Sequence, residues 1–269
     1  MVVKEIKAKS ILSKSGIPGV DFTINPYVGC LHSCVYCYAR FIKKFTKHKE
    51  PWGEFCDVRI NAPELLKKEV GKIPPNSSIF ISSVTDPYQP LEKKYQLTRK
   101  ILEILAGYNF EVSILTKSNL VLRDLDILKK IKNLEVGLTI TTLDEKIQKL
   151  IEPRASSPFG RLETLKVLKE AGIKTYAFVG PILIGFTDLE KIFAVLKNRV
   201  NYIFSDTLNT KGQNWAGLER VLRQFYPELL AKYFENYLNP KNYRNYVFNL
   251  KSQLKSLAVK YQIPVKIVF

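Results

Sequence analysis

Three of the four cysteines in this chain of 269 residues, Cys30, Cys34 and Cys37, fall within one loop, Asn25 to Arg40. Cys-x3-Cys-x2-Cys presents three soft thiolate donors from a single stretch, and the ions that take such donors are zinc and the iron of iron-sulfur clusters. The two metals ask for different surroundings. A closed zinc site needs a fourth ligand, for which His32, His48 and Cys56 are available. A four-iron cube held by three cysteines keeps one iron open to a small molecule. Paired cysteines of the usual zinc modules do not recur downstream, and an alternating strand-helix pattern follows the loop. Both facts favour iron-sulfur, with zinc left as the alternative.

The elements that must position such a loop are readable from hydrophobic periodicity. A short strand, 20–24, leads into it, and the last two cysteines are expected to open a helix. Strand 55–60 and helix 62–70 follow. Strands 78–83, 110–115, 134–140, 174–179 and 202–204 then alternate with helices 95–106, 121–131, 144–151, 159–171 and 189–196. Alternation of this kind predicts a parallel α/β sheet with right-handed crossovers, here a partial (β/α)6 parallel barrel with a C-terminal helical extension. The predicted division is a basic N-terminal arm, 1–19, the barrel, 20–210, and the extension, 211–269, packed on the barrel through helices 215–238 and 243–261. Parallel folds do their chemistry at the carboxyl ends of strands. Polar residues gather there: Ser82, Ser83, Thr85 and Asp86; Thr116, Lys117 and Ser118; Thr139, Thr141 and Thr142; Ser205 and Asp206.

Charge bounds the partner. With 42 Lys+Arg against 25 Asp+Glu the formal net charge is +17, more than solubility needs, which points to a polyanion such as nucleic acid. A lysine-rich, heat-adapted proteome is the other explanation. Arg40, Lys43, Lys44, Lys47 and Lys49 follow the cysteine loop, and the C-terminal helices interleave Arg220, Arg223 and Lys232 with Trp215, Tyr226, Tyr233 and Tyr237. Aromatics among cations suit nucleic acid, while aromatics at helical spacing also suit a core. No apolar run is long enough for a membrane span or a signal peptide, so the expected setting is the cytoplasm with no membrane partner. Four cysteines, three of them clustered, make a poor disulfide framework.

The loop Cys30-Leu31-His32-Ser33-Cys34-Val35-Tyr36-Cys37 resembles the cluster motif of the radical S-adenosylmethionine (SAM) enzymes. Taken with Thr85-Asp86-Pro87-Tyr88-Gln89-Pro90-Leu91-Glu92, Leu115-Thr116-Lys117-Ser118, Glu152-Pro153-Arg154 and Arg161-Leu162, it is similar to the spore photoproduct lyase-related "DNA repair photolyase" group. The resemblance implies a 4Fe-4S cluster on Cys30, Cys34 and Cys37, and SAM bound at its open iron. It further implies SAM contacts from Tyr36, Ser83, Thr85, Asp86, Lys117, Thr141, Arg154, Leu183 and Gly185. For Thr85 and Asp86 the ordinary reading is a strand-to-helix loop, for Lys117 and Arg154 a solvated loop cation, and for Gly185 and Asp188 a turn and a helix cap. The implied activity is reductive cleavage of SAM to a 5′-deoxyadenosyl radical that abstracts hydrogen from a nucleic acid or nucleotide. An electron donor such as ferredoxin or flavodoxin would serve it. Modification of a protein or peptide is the alternative within the class, and a zinc-stabilised, non-catalytic nucleic-acid-binding protein the alternative outside it. In one respect the chain departs from the group: Ser83 stands where spore photoproduct lyase has the cysteine that returns a hydrogen atom. Cys56, Tyr88 and Tyr38 are the candidate replacements, Cys56 also reading as a small buried hydrophobe.

Overall fold

A computed structural model describes residues 1–210 and 214–269. Residues 211–213, with which the extension was expected to begin, lie outside the described residues. The strands in chain order are β1 (Val2–Ile6), β2 (Leu12–Lys14), β3 (Phe22–Ile24), β4 (Tyr27–Val28), β5 (Phe55–Arg59), β6 (Ser78–Ile81), β7 (Glu111–Thr116), β8 (Asn133–Thr139), β9 (Lys174–Ile182), β10 (Tyr202–Thr207) and β11 (Val265–Ile267). The helices are α1 (Ala62–Glu69), α2 (Glu92–Tyr95), α3 (Leu97–Leu105), α4 (Leu125–Leu128), α5 (Glu145–Ile151), α6 (Pro158–Glu170), α7 (Leu189–Leu196), α8 (Asn214–Phe225), α9 (Pro227–Leu238) and α10 (Pro240–Tyr261).

The main sheet runs β11-β10-β9-β8-β7-β6-β3-β2. All its neighbours are parallel except the β2–β3 edge. The sheet is open, with β2 and β11 as its edges, so the predicted partial barrel is present without closure. Helical segments cover its convex face. Ile79, Ile81, Val112, Ile114, Val136, Leu138, Ala177, Val179 and Ile203 point into that layer and join Ile101, Leu165, Ile192 and Phe193 of the helices in one core. Period-2 burial along β7 and the i, i+4 spacing of Leu97, Ile101 and Leu105 on α3 are the sequence features behind it. The opposite, concave face carries Ser113, Glu135, Tyr176, Phe178, Tyr202 and Phe204, and it is polar and aromatic. A smaller sheet, β1-β5-β4, lies beside the cysteine loop.

The structure departs from the sequence reading in four places. Residues 1–19 include β1, paired along its length with β5, and β2, paired with β3. The cysteines open no α-helix: Cys37 has extended backbone, and a 3-10 run, Tyr38–Phe45, starts after it. The Val35 N–H goes instead to the Ile151 carbonyl, 2.9 Å away, so a tertiary bond replaces the first helical one. Helix 121–131 shrinks to a 3-10 turn and α4, because the buried Asp124 carboxylate is drawn to Arg99 and Arg123. The stretch 215–238 breaks into α8 and α9 at Pro227, which has no N–H to continue the first helix. The run 265–269 also reads as strand-like in the sequence, and β11 within it adds a seventh parallel strand to the main sheet.

The C-terminal helices pack rather than project. Leu250, Leu254 and Leu257 of α10 belong to the main core. Tyr233 and Tyr237 of α9 are buried with Leu183, Phe186, Cys34 and Tyr36 in a second cluster, which decides the double reading of those aromatics for the core. Among the described residues no helix is long and apolar enough to cross a membrane.

Candidate active site at the cysteine loop

The loop between β4 and the 3-10 run is shaped by glycine and held by distant side chains. Gly29 has φ +91°, and a Cβ there would lie 2.6 Å from the Phe55 carbonyl oxygen, so the turn into Cys30 requires glycine. Gln89, fully buried, accepts from the Leu31 N–H at 2.9 Å and donates to the Gly29 carbonyl at 3.4 Å. The Thr85 hydroxyl donates to the same carbonyl at 2.7 Å. Arg154 donates to the carbonyls of Gly53 (2.6 Å) and Leu31 (3.4 Å) and pairs with Glu54 at 2.5 Å. From α8, Gly217 lies so close that a Cβ would stand 2.1 Å from the Val35 carbonyl oxygen. The Thr85 and Arg154 side chains, two of the expected SAM contacts, are thus engaged by the protein itself.

All four cysteines are free thiols. Cys30 and Cys34 are buried and Cys37 is half-buried. Burial pushes all three thiols up; the neighbouring cysteines add to this for Cys30, while Lys117 works against it at Cys34 and Cys37. Ionised to ligate a metal, three such sulfurs would need its positive charge to balance them. Among the described residues no three His, Cys, Asp or Glu side chains converge as closely as the ligands of one ion would. The donor chemistry of three thiols from one loop, with cations at its edge, fits a multinuclear iron-sulfur cluster.

Facing the loop is a buried ionic network. Lys117, at the end of β7, donates from Nζ to Thr139 Oγ1 at 3.4 Å and stands 5.8 Å from the Tyr36 ring centroid. The Tyr36 hydroxyl donates to Glu152 and lies 3.1 Å from Thr141 Oγ1. Glu152 is also paired with Arg161, and both are almost fully buried. Burial would raise the Glu152 carboxyl, but Arg161 and Lys117 outweigh it and hold it below its ordinary value. Burial likewise opposes the Lys117 charge, which Cys34 and Glu152 restore so that its pKa ends raised. With Cys34 protonated, Glu152 is the standing counter-charge. Among the described residues Thr139 Oγ1 takes one of the three Lys117 ammonium protons, so the head group retains donor capacity for a ligand.

Asp86 is an organiser in this structure. Its carboxylate accepts from Thr116 Oγ1 (2.6 Å) and from the backbone N–H groups of Tyr88 (2.9 Å) and Lys117 (2.8 Å), with His32 Nε2 3.4 Å away. Burial pushes its pKa up, yet His32 and these donors bring it down to about 2. His32 itself is anchored through Nδ1, 3.0 Å from the Arg154 carbonyl, and its Nε2 has no hydrogen bond of good geometry.

The remaining expected residues divide. Tyr36, Thr141 and Lys117 meet as described, and Leu183 is buried in the cluster that contains Cys34 and Tyr36. Ser83 accepts from Asn25 at 3.3 Å, and its carbonyl accepts from the Tyr38 hydroxyl. Gly185, at φ +78°, makes room for Leu229, and Asp188 caps α7 through the Lys191 N–H at 3.1 Å. Cys56 is fully buried with Tyr27, Leu31, Val58 and Leu97, where burial lifts its thiol to about 12. Tyr88 is fully buried in the main core. Of the three hydrogen-donor candidates, Tyr38 alone is exposed. Glu152, Arg161, Gln89 and Gly217 carry the site without having been assigned a role from sequence. The first two stood in the Glu-Pro-Arg and Arg-Leu runs and Gln89 in the Thr85 to Glu92 run, which gave a signal; nothing local marked Gly217. In register beyond Thr139, Phe178 and Phe204 stand half-buried with ring centroids 5.7 Å apart on the concave face.

Comparison with known proteins places the arrangement. The radical SAM superfamily model matches residues 24–196. An uncharacterized protein of Methanocaldococcus jannaschii is 39% identical over 258 residues, 95% of each chain. A protein of Pseudomonas phage M6 named radical SAM Nalpha-GlyT isomerase is 24% identical over 213 residues, which are 76% of this chain and 43% of that one. Spore photoproduct lyase complexed with dinucleoside spore photoproduct superposes with a TM-score of 0.70 at 16% identity, covering 98% of this chain and 81% of that one. A double mutant of it with bound AdoMet and the same dinucleoside gives 0.63 at 18%, over 84% and 66%. At these identities the likeness to the solved structures is one of fold.

Proposed function

This chain belongs to the radical SAM superfamily, and on that premise we propose that it directs SAM-derived radical chemistry at a nucleic acid or nucleotide, to repair or modify it. The family's cofactors are a 4Fe-4S cluster and SAM, which together supply one electron to the sulfonium and a 5′-deoxyadenosyl radical that abstracts hydrogen. In this chain Cys30, Cys34 and Cys37 would hold the cluster. Lys117 would receive the SAM carboxylate: it keeps donor capacity, its charge is maintained by Glu152, and its backbone is fixed by Asp86. Tyr36 and Thr141 set its depth. Family membership also answers the choice of metal that spacing left open, in favour of iron-sulfur.

The observation that carries the reading is the three-cysteine loop set beside the partly satisfied Lys117 ammonium, which acts on Cys34 and Cys37, at one end of an open parallel sheet. For the substrate, support comes from the net charge of +17 and from the half-buried Phe178–Phe204 pair on the concave face, where a planar ring finds a stacking partner. Ser83 in place of a cysteine, and the burial of Cys56 and Tyr88, separate the end of the reaction from that of spore photoproduct lyase. Tyr38 is the exposed donor. The test is product analysis. Anaerobically reconstituted protein is incubated with SAM, dithionite and either ultraviolet-damaged DNA, intact DNA, RNA or peptide mixtures, and the digests are compared by mass. A changed nucleoside supports the proposal; SAM cleavage with a change in peptide alone overturns its substrate class.

A further inference from the structure

The 3-10 run that leaves the third cysteine turns its aromatic side chains outward. Tyr38, Phe41 and Phe45 are 54%, 46% and 78% exposed. Three residues per turn bring Tyr38, Phe41 and Lys44 to one edge. The rings of Phe41 and Phe45 meet edge to face, centroids 6.4 Å apart, covering part of each other and leaving ring faces to solvent. The fold does not need them there, because the run's packing onto Trp52, Phe55 and Cys30 is made by Ala39 and Ile42. Apolar rings left in water forgo the stabilisation that burial would give them.

Positive charge surrounds the rings. Lys44, Lys47 and Lys49 are exposed, and Lys43 donates to the Lys49 carbonyl at 2.9 Å. From Phe22 to Lys49 the sequence contains no Asp or Glu. Gly217 of α8 packs against Val35 and the Arg40 guanidinium, and Arg220, three residues on, adds to the same field. Cations held this close favour an anion among them.

We propose that the ridge of Phe41, Lys44, Phe45 and Lys47 is a landing site for single-stranded nucleic acid, its rings stacking on unpaired bases and its lysines holding the phosphates between them. The inference rests on the nucleic-acid reading of the substrate and specifies where the strand is held. Duplex bases have their faces covered by their neighbours, whereas an unpaired base offers a face to each ring. The exposed part of the ridge has no Asn, Gln, Asp or Glu to read base edges, so it takes any sequence. An acidic peptide would satisfy the lysines but has no row of planar rings for Phe41 and Phe45. The position also fits delivery: Tyr38, the first residue of the run, follows Cys37, and its hydroxyl donates to the Ser83 carbonyl at the end of β6, so a strand lying on the ridge leads to the cysteine pocket.

The experiment measures anisotropy of a fluorescein-labelled oligothymidylate with the full chain and two double variants, Phe41→Ala/Phe45→Ala and Lys44→Glu/Lys47→Glu. The phenylalanine pair is expected to weaken binding at least about tenfold, from the range of base–aromatic stacking. The lysine pair should lower the slope of log affinity against log salt by about 1.4, at ~0.7 per phosphate contact on a single strand. Phe41→Tyr/Phe45→Tyr should bind as the natural chain does, and SAM cleavage without nucleic acid should be unchanged in all variants. Equal binding by the natural chain and the alanine variant overturns the ridge and leaves the substrate reading standing. Failure of the natural chain to bind overturns both. Competition by polyglutamate as strong as by the oligonucleotide also overturns the proposal, in favour of an acidic protein.

Discussion

Glu152→Gln keeps the side chain's size and removes its charge from a site with almost no solvent. Arg161, 1% exposed, would then be a buried guanidinium without its counter-ion, retaining only carbonyl partners such as Thr139 at 2.9 Å. Breaking a buried pair from one side costs about 3–5 kcal/mol. At roughly 2–4 °C per kcal/mol for a chain of this size, the melting temperature should fall by about 10 °C. The loss should depend on pH. In the folded chain the Glu152 carboxyl is held below its ordinary value by Arg161 and Lys117 against burial. Its contribution is therefore full above the unfolded value of ~4.3 and disappears as pH falls through the folded one. Denaturant unfolding from neutral to acid pH should show the gap between natural and variant protein closing on the acid side. Removing both charges with Glu152→Gln/Arg161→Met should recover part of the stability, since the unpaired ion is what costs. A loss below about 1 kcal/mol at neutral pH would refute the reasoning, because that is the scale of an exposed pair.

Lys117→Met should weaken SAM binding about 10- to 100-fold in equilibrium dialysis of the reconstituted protein, the worth of a charge-assisted hydrogen bond, with little change in melting temperature. Gln89→Leu strips the Leu31 N–H and the Gly29 carbonyl of a partner; it should cost about 1–3 kcal/mol and lower iron per chain after reconstitution. Gly217→Ala must push α8 off the Val35 carbonyl and should cost about 1–3 kcal/mol, whereas Gly71→Ala, with nothing within 4 Å of its Cβ, should cost far less in the same melting assay.

The sheet was legible because its strands are apolar and regularly spaced by amphipathic helices, and because Asp188, read as a helix cap, caps α7. The cysteine loop was legible as a candidate metal site because three thiols in one loop have few other uses. What escaped depends on distance. Thr85 reads as a SAM contact from its place after a strand and Arg154 from the Glu-Pro-Arg run; the Gly29, Leu31 and Gly53 carbonyls they bind become neighbours only on folding. Asp86 looked like an acceptor for an ammonium and is filled by backbone N–H groups that β7 brings to it. Gln89 lies 58 residues from Leu31 in sequence, and no local pattern announces the bond. The aromatics of α9 suited bases among their cations, though helical spacing favoured a core, and Tyr233 and Tyr237 are buried with Leu183 and Phe186.

Electron paramagnetic resonance of the anaerobically reconstituted, dithionite-reduced chain, before and after SAM, with 5′-deoxyadenosine measured in the same tubes, tests the central claim most directly. The account predicts a reduced-cluster signal that changes when SAM is added, 5′-deoxyadenosine formed over time, and loss of both on replacing Cys30, Cys34 or Cys37 by Ala. A chain that binds zinc in preference to iron, or a cluster signal indifferent to SAM with no 5′-deoxyadenosine, would contradict it.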